Sequence, residues 1–319
     1  MDFLDFEKPI VELERRIEEL RLTNTDADTA IELDDEIERL QKKCESLTKK
    51  IFGSLSEWQI AQLARHPLRP KSIQVIDAIS EDFQELHGDR MYADDSAIIS
   101  GLAKINNQSV MFIAQEKGSN TNEKMKRNFG MPRPEGYRKA QRMMKLAEKF
   151  KIPIVTIIDT PGAFPGIGAE ERGQSEAIAR NLFTLASLKT PIINLVLGEG
   201  GSGGALAIGM GDKLIMLEYS IYSVISPEAC SSILWRTPDE TETAAEAMGI
   251  SSSRLNKLGL VDEIIDEPLG GFHRNPEKTF TSIKESIANA LQTLKSEDPE
   301  TLLDQRRARY KAIGEFNEN

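Results

Sequence analysis

PIINLVLGEGGSGGALAIGMGDKLIML, residues 191–217, decides the fold. Its first seven residues are apolar apart from Asn194, so they suit a strand buried on both faces. Seven glycines then fall within the sixteen residues from Leu197 to Asp212. GALAIGM allows a short helix before a second strand begins at Lys213. Strand, short helix and strand, with apolar residues on both strand faces, describe neighbouring parallel strands under a helical cover.

The same alternation extends outward. EGYRKAQRMMKLAEKF (135–150) predicts a helix and IPIVTIID (152–159) a strand. AEERGQSEAIARNLFTLASL (169–188) predicts one helix, and VDEIID (261–266) another strand. AIISGLAKINNQSVMFIAQEK (97–117) reads as two strands about a turn at Asn106–Asn107. SIQVIDAISEDFQEL (72–86), after the linker HPLRPKS (66–72), reads as a single helix. At the N-terminus, Ile10, Leu13, Ile17 and Leu20 recur at helical steps. Beyond a polar break at residues 23–29, Leu33, Ile37, Leu40, Cys44, Leu47 and Ile51 form a heptad seam. Such a hairpin can pack on its own chain or on a partner. The tail from Pro276 suits two helices parted near Asp298–Pro299. The expected division is an arm (1–55), an α/β body (56–275) and C-terminal helices (276–319).

Composition removes several functions. The chain has 319 residues, 39% of them hydrophobic and 29% charged, with a net charge of −11. That acidity argues against nucleic acid or membrane as the main partner. Cys44 and Cys230 stand alone, and none of His66, His87 and His273 falls in a metal-binding motif. The start MDFLDFEKPI carries acids where a signal peptide needs lysine or arginine. A cytoplasmic protein is expected.

Gly198, Gly200 and Gly203 match GxGxxG after a strand, and Glu218 stands twenty residues on, where a ribose-binding acid belongs. A nicotinamide-dependent dehydrogenase follows on paper. Against it, only about eight residues remain for the crossover helix, and Gly209 and Gly211 weaken it. A P-loop is excluded because no Gly-Lys-Ser/Thr follows. Two readings stay open. One is a glycine turn needed for tight helix–sheet packing. The other is an anion pocket, in which N–H groups at a helix start face a developing negative oxygen. A second loop, IIDTPGAFPGIGAEERGQ (157–174), leaves the preceding strand and enters a helix through Pro161–Gly162 and Pro165–Gly166. Parallel strands bring such loops together at the carboxyl edge of the sheet. DTPG resembles the GTPase DxxG, but the other GTPase motifs are missing.

Eight blocks carry a resemblance to a known family: FLDFEKPI, WQIAQLARHPLRP, RNFGMPRPEGYRKA, IDTPGAFPGIGAEERGQSEAIARN, GEGGSGGALAIG, YSVISPEACSSILW, AAEAMGI and PLGGFHRNP. Together they resemble, over nearly the whole chain, the α subunits of the carboxyltransferase of bacterial-type acetyl-CoA carboxylase. The resemblance implies an α/β, crotonase-like fold of repeated ββα units. It implies transfer of carboxylate from carboxybiotin, held on a carrier protein, to acetyl-CoA, which forms malonyl-CoA for fatty-acid synthesis. It implies an α2β2 assembly with a zinc-bearing β subunit, working beside biotin carboxylase and the biotin carboxyl carrier protein. No metal is implied for this chain. Carried over by motif, the amides of Gly203 and Gly204 face the biotin ureido oxygen, with Gly200 and Gly201 in the same loop. Gly162, Ala163 or Phe164 supplies an opposing donor. Such chemistry needs hydrogen bonds to one oxygen on biotin and one on the thioester. It needs no acid–base side chain, which agrees with the lack of a clustered His, Cys and carboxylate set.

A basic island lies between Lys117 and Lys145. It holds Lys117, Lys124, Lys126, Arg127, Arg133, Arg138, Lys139, Arg142 and Lys145 against only Glu123 and Glu135. Lys124, Lys126, Arg127, Arg133 and Arg138 are candidates for the phosphates of coenzyme A. A solvated helix face and a single-strand nucleic-acid site using Phe129 and Tyr137 are the other readings. At the level of the whole chain, a non-catalytic crotonase-like scaffold is the alternative to an enzyme subunit.

Overall fold

The computed structural model describes residues 3–23 and 30–314. An arm of two helices, α1 (Lys8–Thr23) and α2 (Ala30–Phe52), opens the chain; the polar break at residues 24–29 lies outside the described residues. The heptad seam faces inward, and the arm is rooted on its own chain. Ile10 and Phe52 pack with Leu63 of α3 (Glu57–Ala64) and with Tyr219.

Helix α4 (Ser72–Ile79) leads into a mixed sheet of eight strands: β1 (Glu81–Glu85), β2 (Ile98–Ile105), β3 (Gln108–Gln115), β4 (Ile154–Thr160), β5 (Ile192–Gly201), β6 (Lys213–Leu217), β7 (Ile221–Ser223) and β8 (Glu263–Ile265). The order is β1-β2-β3-β4-β5-β6-β8. The first two pairings are antiparallel and the rest parallel, and β7 pairs with the end of β5. Asn106 and Asn107 both take positive φ, +48° and +63°, which suits the tight β2–β3 hairpin.

β4 and β5 are buried along their whole length, as their uninterrupted apolar runs require. Alternate side chains feed two cores. Val155, Ile157, Ile193 and Leu195 meet α4 and α13 (Pro276–Lys295). Ile154, Ile158, Ile192 and Val196 meet α6 (Pro134–Lys149), α8 (Gln174–Leu185) and α9 (Ser202–Gly209). Pro134 opens α6 where a missing N–H costs nothing, and Tyr137, Ala140, Met144 and Ala147 set its buried stripe. Helix α14 (Pro299–Lys311) closes over this side. Its buried Arg306 forks onto Asp212 at 2.7 and 2.8 Å, and Tyr310 Oη accepts from Gly211 N–H at 2.9 Å.

Two expected helices differ. SIQVIDAISEDFQEL stops being helical at Ile79, and Glu81–Glu85 becomes edge strand β1. Only Phe83 there is apolar enough to pack, and the charged, exposed remainder suits a protected sheet edge. Opposite it, a Cβ on Gly101 would lie 2.2 Å from the Gln84 carbonyl oxygen, so glycine lets the edge close in. The single helix expected over 169–188 is broken at Gly173, with φ +79°, into α7 (Ile167–Glu171) and α8.

Candidate active site: two glycine loops at the strand ends

β4 and β5 lie side by side and end together, so the loops that follow them meet. A Cβ on Gly204 would sit 2.7 Å from Ala163 N and 2.5 Å from the Gly162 carbonyl carbon. Glycine at 204 is therefore required by the approach of the other loop.

In the second loop the chain turns into α9 through Ser202, whose φ of +53° is unusual for a residue with a side chain. Gly203 and Gly204 are the second and third residues of the helix, so their N–H groups have no carbonyl one turn back. No side chain among the described residues caps this end. Gly203 is open, with only Ile178 methyls 3.8 and 3.9 Å from a would-be Cβ. Gly200 and Gly201 lie beneath the surface. Cβ atoms there would meet the Tyr222 ring at 2.1 Å and the Pro161 carbonyl oxygen at 2.2 Å. Their lack of side chains is a packing requirement.

In the first loop, two of the three candidate amides are already engaged. Gly162 N–H donates to Thr160 Oγ1 (3.0 Å), and Phe164 N–H donates to the Pro132 carbonyl (3.0 Å). Gln174 Nε2 donates to the carbonyls of Pro132 and Phe164, and the Arg133 guanidinium lies over the Phe164 ring at 4.7 Å. The Ala163 N–H carries no hydrogen bond among the described residues.

Behind the loops is a network of ions that no sequence motif signalled. Lys117 Nζ stands 2.8 Å from both Asp159 Oδ1 and Glu199 Oε1. Glu199 Oε2 accepts from Arg65 Nε at 2.6 Å, and Arg65 Nη1 donates to Glu228 of α10 (Pro227–Leu234), also at 2.6 Å. Burial alone would raise the Glu199 carboxyl, but Lys117 and Arg65 outweigh it and hold it at about 2. Lys71, mostly buried nearby, is pushed down to about 8 by burial. Gln115 joins the same parts without charge. Its Nε2 donates to the Gly204 carbonyl (2.7 Å), and its Oε1 accepts from Asp159 N–H (3.2 Å).

The basic island separates into used and available charges. Arg138 is held by Asp89 (2.9 Å) and the Arg172 carbonyl, and Lys139 by Asp94 (2.6 Å). Arg127 donates to the Ser96 carbonyl and Arg133 to Asn128 Oδ1. The ammonium groups of Lys124 and Lys126, on the short helix α5 (Thr121–Lys126), have no ion pair among the described residues. Beyond α5, Asn128, Phe129 and Gly130 take three successive positive φ values, and Phe129 is left exposed. Glu218, the would-be ribose acid, accepts from Glu267 N–H at 2.9 Å instead.

Among the described residues, one set of side chains has the spacing of a metal site: Glu7, His66 and His273, with candidate donor atoms within 4.8 Å of one another. The geometry does not suit an ion. His66 Nδ1 accepts from Leu68 N–H, which puts the ring proton on Nε2, the nitrogen facing Glu7. The two rings are stacked at 3.9 Å, so their in-plane lone pairs run parallel, and Arg274 stands 3.8 Å from Glu7. The cluster instead fixes the root of the arm. His66 and His273 were legible only as isolated residues, because 207 positions separate them.

No helix among the described residues is long and apolar enough to cross a membrane. Residues 3–314 match the family model described as acetyl co-enzyme A carboxylase carboxyltransferase-like. An acetyl-coenzyme A carboxylase carboxyl transferase subunit alpha from Thioalkalivibrio sulfidiphilus is 59% identical over 99% of both chains. The subunit of the same name from Azotobacter vinelandii is 58% identical over 98% of both. Among solved structures, transcarboxylase 12S aligns with a TM-score of 0.58 and 21% identity, over 70% of this chain and 41% of its own. A Pseudomonas malonate decarboxylase hetero-tetramer in complex with coenzyme A aligns at 0.55 and 20%, over 69% and 88%. These two likenesses bear out the crotonase-like α/β fold.

Proposed function

The chain belongs to the acetyl co-enzyme A carboxylase carboxyltransferase-like family, and from that premise we propose how its two glycine loops act. It is a subunit of a biotin-dependent carboxyltransferase, in the step of acetyl-CoA carboxylase that forms malonyl-CoA. As an α-type subunit it works with a partner subunit. The dehydrogenase and scaffold alternatives give way to this membership.

Carboxybiotin, when bound, supplies an activated carboxylate. In our reading the N–H groups of Ala163, Gly203 and Gly204 point at its ureido oxygen from two sides and stabilise the negative charge that grows there. The observation that carries this is the meeting of the two loops, each with an N–H at the seam that is unpaired among the described residues. A fixed donor needs no reorganisation as charge develops, and losing one typically costs 10²–10³ in rate, about 3–4 kcal/mol. Gly162 and Phe164 shape the loop rather than donate, since their own amides are engaged. Gly200 and Gly201 let Tyr222 and Pro161 support it from below.

The acceptor thioester sits across the seam, chiefly on the partner. The partner is a zinc-bearing β subunit in an α2β2 assembly, served by the biotin carboxyl carrier protein and biotin carboxylase in the cytoplasm. Lys124, Lys126 and Arg127 attract the coenzyme A phosphates, with Arg133 at the margin. Arg138 is spent on Asp89. Residues 1–55, 56–275 and 276–319 serve as arm, transferase body and closing helices.

Ala163→Pro tests the reading directly, because proline deletes one N–H and adds no charge. With assembly intact by size-exclusion chromatography, kcat for carboxyl transfer falls about 100-fold or more. Full activity would remove Ala163 from the pocket. Purified without its partner, the chain gives no biotin-dependent decarboxylation of malonyl-CoA.

A further inference from the structure

The two loops are held in register by a third strand end. β3 closes at Gln115 and continues through Glu116 to Lys117, which is 14% exposed. Asp159 lies four residues before Ala163, and Glu199 four residues before Gly203. Lys117 Nζ touches both carboxylates at 2.8 Å, and Asp159 Oδ1 also accepts from Glu199 N–H at 3.1 Å. We propose that Lys117 is a positioning residue that sets the distance between the Ala163 amide and the Gly203–Gly204 amides by tying the ends of β4 and β5 to one ammonium group. The inference rests on the reading of those amides as donors to a developing anion.

The contacts around Lys117 give it this one task. Its stem is pressed by Gly130, where a Cβ would lie 2.6 Å from Lys117 Cγ, so the left-handed turn at Asn128–Gly130 limits its movement. Without its charge, two buried carboxylates would face each other at the roots of the two loops. Like charges so placed separate or share a proton. The other charges at this spot do not replace it. Arg65 reaches Glu199 Oε2 but is committed to Glu228 as well. Lys71 feels Asp159, Lys117, Arg69 and Glu116, yet it makes no ion pair among the described residues. Glu116 accepts from the N–H groups of Ile73 and Gly118 and feels Arg127. Among the described residues, only Lys117 spans the Asp159–Glu199 pair.

The test uses the enzyme assembled with its partner subunit and follows carboxyl transfer from malonyl-CoA to a biotin analogue. Lys117→Met lowers kcat about 100-fold at pH 8, the scale expected for a misplacement of about 1 Å, while KM for malonyl-CoA stays within about threefold. Adding Glu199→Gln to Lys117→Met restores most of kcat at pH 8, because one of the two repelling charges is gone. A residue that merely stabilises the fold would not be relieved by the second substitution; an unrelieved kcat overturns the proposal. If Lys117→Met fails to assemble, Lys117→Arg keeps the charge but not its compact shape. A partial loss of kcat at unchanged KM then supports the proposal, and wild-type kcat overturns it. Ala163→Pro, run in parallel, separates the two levels. If it is fully active, the donor reading itself fails. If it is inactive while Lys117→Met is unaffected, only the clamp fails.

Discussion

Gly204→Ala adds one methyl group where there is no room for it. The new Cβ would lie 2.5 Å from the Gly162 carbonyl carbon, 2.7 Å from Ala163 N and 2.9 Å from the Gly162 oxygen. Carbon atoms in contact settle near 3.5 Å, so the loops must part by roughly 1 Å. All three obstructing atoms are backbone, and no side chain can swing aside. A 1 Å displacement of a donor costs about 100-fold in rate, or roughly 2.7 kcal/mol of activation free energy. Gly203→Ala is the internal control, since its Cβ meets only Ile178 methyls at 3.8 and 3.9 Å. Alanine is the better helix former by about 1 kcal/mol at either position, so weakened helix formation explains neither outcome. Both variants are assembled with the partner subunit and assayed for carboxyl transfer from malonyl-CoA. Gly204→Ala falls about 100-fold in kcat with KM little changed, and Gly203→Ala stays within about tenfold of wild type. Equal losses, or wild-type kcat in Gly204→Ala, would refute the steric account of the paired loops.

Reversing the charges of Lys126 and Arg127 raises KM for malonyl-CoA about tenfold, an effect that fades at high salt; an unchanged KM rules these residues out of the phosphate site. Arg306→Ala leaves Asp212 charged and buried without its fork and costs about 3–5 kcal/mol, so the melting temperature drops by roughly 4–8 °C. A third expectation concerns acid. Burial would raise the Glu7 carboxyl, but His273, His66 and the Leu4 N–H outweigh it and hold it well below its ordinary 4.5. Burial holds His273 below 6.5. Both groups therefore bind protons less readily folded than unfolded, and stability falls as pH drops, first below about 6.5 and then more steeply below 4.5. Hydrogen exchange should show α1 and α2 losing protection between pH 7 and 5 before β4 and β5 do; constant protection of the arm in that range would exclude the Glu7–His66–His273 cluster as what fixes its root.

The strands of the core were legible because residues 154–158 and 192–197 are short apolar runs, almost without interruption and bounded by Pro and Gly, a pattern that suits strands covered on both faces. The Asn106–Asn107 turn was legible for a similar local reason. Edge strand β1 was not, because its partner Gly101 and the covering Phe83 are far apart in sequence, and EDFQE has no period of its own. Gly173 looked like a helix interior because nothing adjacent marks its positive φ. For the site, the glycines showed where backbone comes close, but not to what. Only the fold separates Gly204, which touches the other loop, from Gly200 and Gly201, which sit on Tyr222 and Pro161. The choice among Gly162, Ala163 and Phe164 needed the hydrogen bonds of Thr160 and Pro132. Lys117 was counted as one of a basic run, and its carboxylate partners lie on two other strands.

The tie between Tyr310 and Gly211 joins residues 99 positions apart, and Arg306 reaches back 94 to Asp212. Translation delivers the exit of α9 long before the helix that secures it; at 5–20 residues per second the wait is roughly 5–20 s. Through that interval the nascent polypeptide has both glycine loops of its pocket, and the exit of α9 is tied to β5, by Asn194 Nδ2 to the Ile208 carbonyl (3.1 Å) and by Ile192 N–H to Asp212 (2.7 Å), but not yet from outside. The outer tie on α9 is thus a late event on the ribosome, and a chain stalled before α14 would have a formed sheet and an α9 held by β5 without that tie.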